Sequence, residues 1–84
     1  MNGCELIKQL LEVLRKEREQ QTMRQQDLAY QSELSKTNLS ELENGHKADM
    51  KLSTFLKLCR ALRIAPWKIM LKAWGNMFEE EGRE

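Results

Sequence analysis

From Leu6 onward the apolar positions fall at Leu6, Ile7, Leu10, Leu11, Val13 and Leu14, the i, i+3, i+4, i+7 rhythm of one helix face. The polar continuation "RKEREQQ" favours helix and predicts a first helix running to a break near Thr22. "QQDLAYQ" predicts a short second helix with Leu28 and Ala29 facing inward. Ser35 stands as an N-cap before "KTNLSELEN", where Leu39 and Leu42 are spaced by three and Gly45 can end the helix in the left-handed conformation. After the polar "GHKAD", the segment "LSTFLKLCRAL" places Leu52, Phe55, Leu56, Cys59 and Leu62 on one stripe of a fourth helix. Pro66 suits the first turn of a fifth, "PWKIMLKAW". No strand-like alternation appears, so the expectation is an all-α chain of five helices.

Composition narrows this to one small domain. The chain has 84 residues, 40% of them apolar and 32% charged, which is globular composition with a necessarily small core. The expected domain spans residues 1–78, followed by an acidic flexible tail over 79–84, "EEEGRE". Net charge is only +1, weak for a chain that would hold nucleic acid by charge alone. The distribution changes that picture, because residues 51–78 carry Lys51, Lys57, Arg60, Arg63, Lys68 and Lys72 and no acid.

Several function classes recede. No run of eighteen apolar residues exists, and the start "MNGCELIKQLLEV" holds Glu5 without a basic leader, so neither a membrane span nor a secretion signal is expected. Cys4 and Cys59 show no C-x-x-C spacing, which reads as two free thiols in a reducing, cytoplasmic setting rather than a disulfide or zinc site. His46 is a lone loop histidine without a second ligand at metal spacing. No carboxylate pair, activated nucleophile or glycine-rich phosphate loop can be assembled, so no enzyme, metal or cofactor is expected.

The second and third helices, joined by three or four residues and with Ala29 small enough to let them cross closely, fit a helix-turn-helix over about 25–44. "LRKERE" from Leu14, "QQDLA" at 25–29, "LSELENG" at 39–45 and "LSTFLKLCRALRIAPWKIM" together resemble the helix-turn-helix family of lambdoid phage repressors, Cro proteins and XRE-type regulators. The resemblance covers about two-thirds of the chain and implies a compact five-helix, lambda-repressor-like domain. Five positions depart from the family pattern, among them Arg24 in place of a common Ser/Thr cap. Glu33 stands where the motif turn usually has glycine and Ser32 where it has an aliphatic residue, while Arg63 replaces a glycine and Met50 a proline. A non-glycine residue in a left-handed turn costs about 1 kcal/mol, and the expectation is a looser or differently bent turn.

The resemblance implies a site on double-stranded DNA. In such motifs the second helix enters the major groove with its N-terminal residues on base edges, which here assigns base contact to Lys36, Thr37 and Glu41, with Asn38 and Ser40 beside them. Lys36 can donate to guanine, Thr37 can offer its hydroxyl or methyl, and Glu41 can accept from cytosine. Glu41 has a second reading, an ordinary surface pair with Lys36 or Lys47. Phosphate contact falls by the same resemblance to Gln25, Gln26, Ser35, Asn44, Lys47 and Lys51. Arg18 and Glu43 occupy positions that in this family form an orienting ion pair.

The C-terminal "WKIMLKAWGNMF" holds more apolar surface than a small core covers, so Trp67, Trp74, Met77 and Phe78 read as a dimer or partner surface. The leading expectation is a sequence-specific transcriptional regulator, a repressor binding a near-palindromic operator as a homodimer, bacterial or phage-encoded and nucleoid-associated when bound. The alternative is an antitoxin or protein-binding adaptor of the same fold, whose C-terminal segment grips a protein partner.

Overall fold

The computed structural model describes residues 3–47 and 49–81, the last four by backbone alone. Five helices follow one another: α1 Gly3–Gln20, α2 Gln25–Gln31, α3 Lys36–Glu43, α4 Leu52–Leu62 and α5 Pro66–Glu81. No strand occurs among the described residues. α5 runs three residues past the boundary drawn at 78, and residues 82–84 of the expected tail lie outside the described residues.

The core is where the inner stripes meet. Leu10, Leu11 and Leu14 of α1 close over Leu28 and Ala29 of α2 and Leu39 and Leu42 of α3, all below 5% exposure. α4 is rotated from the expected stripe: Phe55, Leu58, Cys59 and Leu62 are buried, whereas Leu52 is 65% and Leu56 44% exposed. Both sets keep helical spacing, so periodicity alone could not separate them. α5 packs on α1 and α4 and sends Ile69 wholly inside.

One device ends the first four helices. In each, the N–H that follows a left-handed residue bonds back to the carbonyl five residues earlier, the Schellman arrangement. The bonds are Met23 N–H to the Arg18 carbonyl (3.1 Å), Leu34 to Ala29 (2.8 Å), His46 to Glu41 (2.9 Å) and Ile64 to Cys59 (3.1 Å). The left-handed residues are Thr22 (φ 53°), Glu33 (61°), Gly45 (75°) and Arg63 (58°). The motif turn is therefore neither loosened nor rebent by Glu33, contrary to the sequence expectation; the residue takes the left-handed conformation (φ 61°) and the closing bond stays short. At all three non-glycine stops the next residue, Met23, Leu34 or Ile64, packs against the core, and its burial offsets the cost of about 1 kcal/mol.

Ser32 occupies its aliphatic position at 1% exposure, and its hydroxyl has no hydrogen-bond partner. Cys59 is also sealed in, and burial pushes its thiol from 9.0 to about 11.

Candidate nucleic-acid interface

α3 starts on Ser35, whose Oγ accepts from the Asn38 N–H at 3.0 Å and so satisfies one of the free amides of the first turn. Leu39 and Leu42 anchor the helix inward, which leaves Lys36 and Thr37 exposed on its first turn. Serine at 35 is thus engaged as a cap, and its hydroxyl keeps a proton to donate.

Asn38 is not a free surface amide. Lys47 Nζ donates to its Oδ1 at 2.6 Å. Because an ammonium only donates, this bond fixes which end of the amide faces the lysine. The NH2 end is then the one presented outward, suited to acceptors such as guanine O6 and N7, adenine N7 or a phosphate oxygen. Lys47, assigned to phosphate by the resemblance, therefore also sets the aim of a neighbouring base-contact candidate, a link no spacing rule shows. One helical turn on, Asn44 Nδ2 donates to Ser40 Oγ at 3.2 Å, leaving the serine hydroxyl proton as a donor.

Glu41 forms no ion pair with Lys36 or Lys47 among the described residues. The surface pairing that competed with a base-reading role is absent, and the carboxylate stands half-exposed on the same side of α3.

Behind α3 lies a largely buried charge cluster. Arg18 grips Glu43 with two parallel bonds, Nε to Oε2 at 2.8 Å and Nη2 to Oε1 at 3.0 Å, and spends Nη1 on the Met23 carbonyl at 2.8 Å. The side chains are 13% and 5% exposed. One arginine thus ties α1, the α1–α2 loop and the end of α3 together. Gln25, first residue of α2, adds Nε2 to the same Glu43 Oε1 at 2.8 Å. Its second amide proton remains to donate, next to the unbonded N–H groups that any helix start presents, with exposed Gln26 beside it.

Lys51 caps α4 without a side-chain bond and lines an open recess of about 410 Å³ with Asn38, Lys47 and Thr54. That recess brings the loop cations beside α3. Thr54 escaped the sequence reading because a lone threonine in an apolar helix carries no signal. His46 is exposed, and no metal-holding group of side chains occurs among the described residues.

The C-terminal assignments divide. Trp67 is 70% exposed, but Trp74 packs on the core and donates its indole N–H to the Leu6 carbonyl at 3.0 Å. Half-buried Trp74 thus bridges α5 to α1 within its own chain. Met77 is half-buried, and the Phe78 side chain lies outside those described. Leu71, 60% exposed, replaces Trp74 on the outer face.

A short helix with amide donors at its start, followed by a second helix whose polar first turn faces outward and whose far end is held by an arginine fork, defines a helix-turn-helix DNA-binding domain. The chain belongs to the Cro/C1-type HTH DNA-binding domain family, whose pattern matches residues 11–70. It is similar to the clp gene regulator ClgR of Corynebacterium glutamicum, at 30% identity over 86% of this chain and 92% of that one, with a TM-score of 0.77. It is also similar to the restriction-modification controller protein C.AhdI of Aeromonas hydrophila, at 31% identity over 77% and 96%, TM-score 0.69. The controller protein C.Esp1396I, at 23% identity and TM-score 0.76, shares the fold. Comparison with curated protein sequences gives no match. The protein is thus a DNA-binding regulator of the Cro/C1 type, and no described helix is long and apolar enough to cross a membrane.

Proposed function

We propose that the chain is a repressor that binds a near-palindromic operator as a homodimer, with Lys36, Thr37, Asn38, Ser40 and Glu41 on base edges. Gln25, Gln26, Ser35, Asn44, Lys47 and Lys51 hold the phosphates. The observation that carries this reading is the fixed aim of α3: its first turn is exposed, Lys47 orients the Asn38 amide, and the Arg18–Glu43 fork anchors its far end. A rigid reading head loses little order on docking, so its contacts translate into affinity. The similarity to a clp gene regulator and to a restriction-modification controller supports a role at promoters.

The test is binding to DNA from the region upstream of the protein's own gene, over a salt series, for the native chain and Lys36→Ala. The expected result is affinity that falls steeply with salt, and a variant that loses preference for that DNA over a scrambled duplex. Binding without sequence preference in the native chain overturns the reading. A promoter-fused reporter then separates repression from activation.

A further inference from the structure

Two of the three left-handed residues that are not glycine, Glu33 (φ 61°) and Arg63 (φ 58°), line one recess. The packing of Leu34 and Ile64 behind them explains why the chain turns there. It does not explain charged side chains at positions where glycine is conformationally cheapest. Backbone strain of this kind gathers at active sites and ligand clamps, and here both strained positions bring a charge to the same place.

The recess lies between the end of α2 and the second half of α4. Gln31 and Glu33 form one wall and Lys57, Arg60, Ala61 and Arg63 the other, around about 440 Å³, inside the roughly 300–1,000 Å³ of small-molecule sites. Its walls carry three cations and one acid. Glu33 meets Lys57 at 3.7 Å, with the two side chains 79% and 48% exposed, and so open a pair is weak. Arg60 and Arg63 have no ion pair among the described residues. A surplus of two positive charges with two guanidinium forks suits a group that spreads two negative charges over several oxygens. A phosphate monoester does this near neutral pH, whereas a single carboxylate does not.

The DNA-facing ends of the same helices lie elsewhere. Gln25 opens α2 and Gln31 closes it, while Lys51 caps the start of α4 and Arg60 stands near its end. At 1.5 Å per residue these separations are roughly 9 Å and 14 Å along the two helices. An occupant of the recess touches the motif turn and α4 together and leaves the first turn of α3 open.

We propose that this recess binds a small molecule bearing a phosphate group. Arg60 and Arg63 donate to its oxygens, Lys57 turns to it from Glu33, and Gln31 offers an amide to the organic part. The site requires neither the homodimer nor a particular operator.

The experiment is isothermal titration calorimetry of the full chain at low salt with adenosine 5′-monophosphate, inorganic pyrophosphate and, as the phosphate-free control, adenosine. The native chain is expected to bind both anions and not adenosine. Arg60→Ala and Arg63→Gly are expected to weaken both roughly tenfold, because each removes a charge-assisted contact. Glu33→Gln is expected to tighten them about threefold, since it removes the one like charge on the walls. Arg63→Gly relieves a left-handed residue, so thermal melts without ligand should show it no less stable than the native chain, and its loss of binding then reports the site rather than the fold. No binding of either anion by the native chain, or equal binding by all four proteins, overturns the proposal. So does a lower salt slope of DNA binding for Arg60→Ala, which would assign the recess to the DNA backbone.

Discussion

Gln25 and Glu43 are eighteen residues apart in sequence, yet the Gln25 amide donates to Glu43 Oε1 at 2.8 Å, on the same oxygen that takes Arg18 Nη2 at 3.0 Å. The first residue of α2 is thereby oriented by the last residue of α3. A phosphate-holding candidate and the reading helix share one carboxylate, so the geometry of the two contact sets is coupled.

Gln25→Ala removes a neutral donor with one proton still unspent. Hydrogen bonds to charged acceptors are worth about 1.5–3 kcal/mol, so DNA affinity is expected to fall roughly tenfold or more, equally for operator and scrambled duplex. The slope of log affinity against log salt should stay the same, because no counterion-releasing charge is lost. Lys47→Ala makes the contrast: it lowers that slope by about one and also changes base preference, through the freed Asn38. Fluorescence anisotropy titrations at several salt concentrations read both quantities.

Arg18→Met leaves Glu43 nearly buried without its cation. Removing one partner of such a pair costs about 3–5 kcal/mol, a large share of the stability of so small a domain. Adding Glu43→Leu should recover most of it, since an apolar pair of similar volume is often neutral or better. Urea unfolding of the two single variants and the double gives the cycle, and a double variant as unstable as Arg18→Met would argue that the fork contributes through geometry rather than charge.

The three left-handed helix stops without glycine offer cheap stabilisation. Arg63→Gly keeps the φ of 58° without the Cβ penalty and should raise stability by roughly 0.5–1 kcal/mol, net of glycine's extra freedom when unfolded. Glu33→Gly should gain less, because it gives up the exposed Glu33–Lys57 pair at 3.7 Å. Thermal melts at matched salt test the order, and a loss at Arg63 would show that its side chain does more than tolerate the turn.

Ser32 is the converse case. Its hydroxyl is buried at 1% exposure with no partner, and an unsatisfied polar group of this kind costs about 1–3 kcal/mol. Ser32→Ala should therefore stabilise the domain by about 1 kcal/mol, seen as a higher urea midpoint at unchanged slope. DNA affinity should not move, since the buried hydroxyl bonds to no contact candidate.

Helix number, the motif helices and the inner anchors Ala29, Leu39 and Leu42 were legible because burial leaves a periodic trace. The α4 stripe was not: leucines at 52, 56, 58 and 62 satisfy two rotations of one helix, and only the packing of α1, α2 and α5 chooses between them. Trp74 was legible only in part for a related reason, since a half-buried aromatic ring at the edge of a core looks in sequence like surplus apolar surface. The aims of Asn38 and Gln25 left no trace at all. They depend on single hydrogen bonds to Lys47 and Glu43, nine and eighteen residues away, and such bonds obey no period.

Cys59 makes stability depend on alkaline pH, with a sign set by burial. The folded chain keeps its thiol protonated to about 11 while the unfolded chain releases that proton near 9.0. Between those values the native state binds more protons than the unfolded one, so stability must fall as pH rises. Below 9.0 both states are protonated and the group contributes no slope. A shift of this size corresponds to a loss on the order of 2 kcal/mol once pH has passed through the folded value. Cys59→Ala removes the titration at the cost of a small cavity, so it should start less stable near neutrality and lose less on going alkaline. Urea unfolding at pH 7.5 and 10.5 for both proteins isolates the difference from the lysine and tyrosine titrations they share. Equal losses in the two would mean that the buried thiol is not what couples this fold to pH.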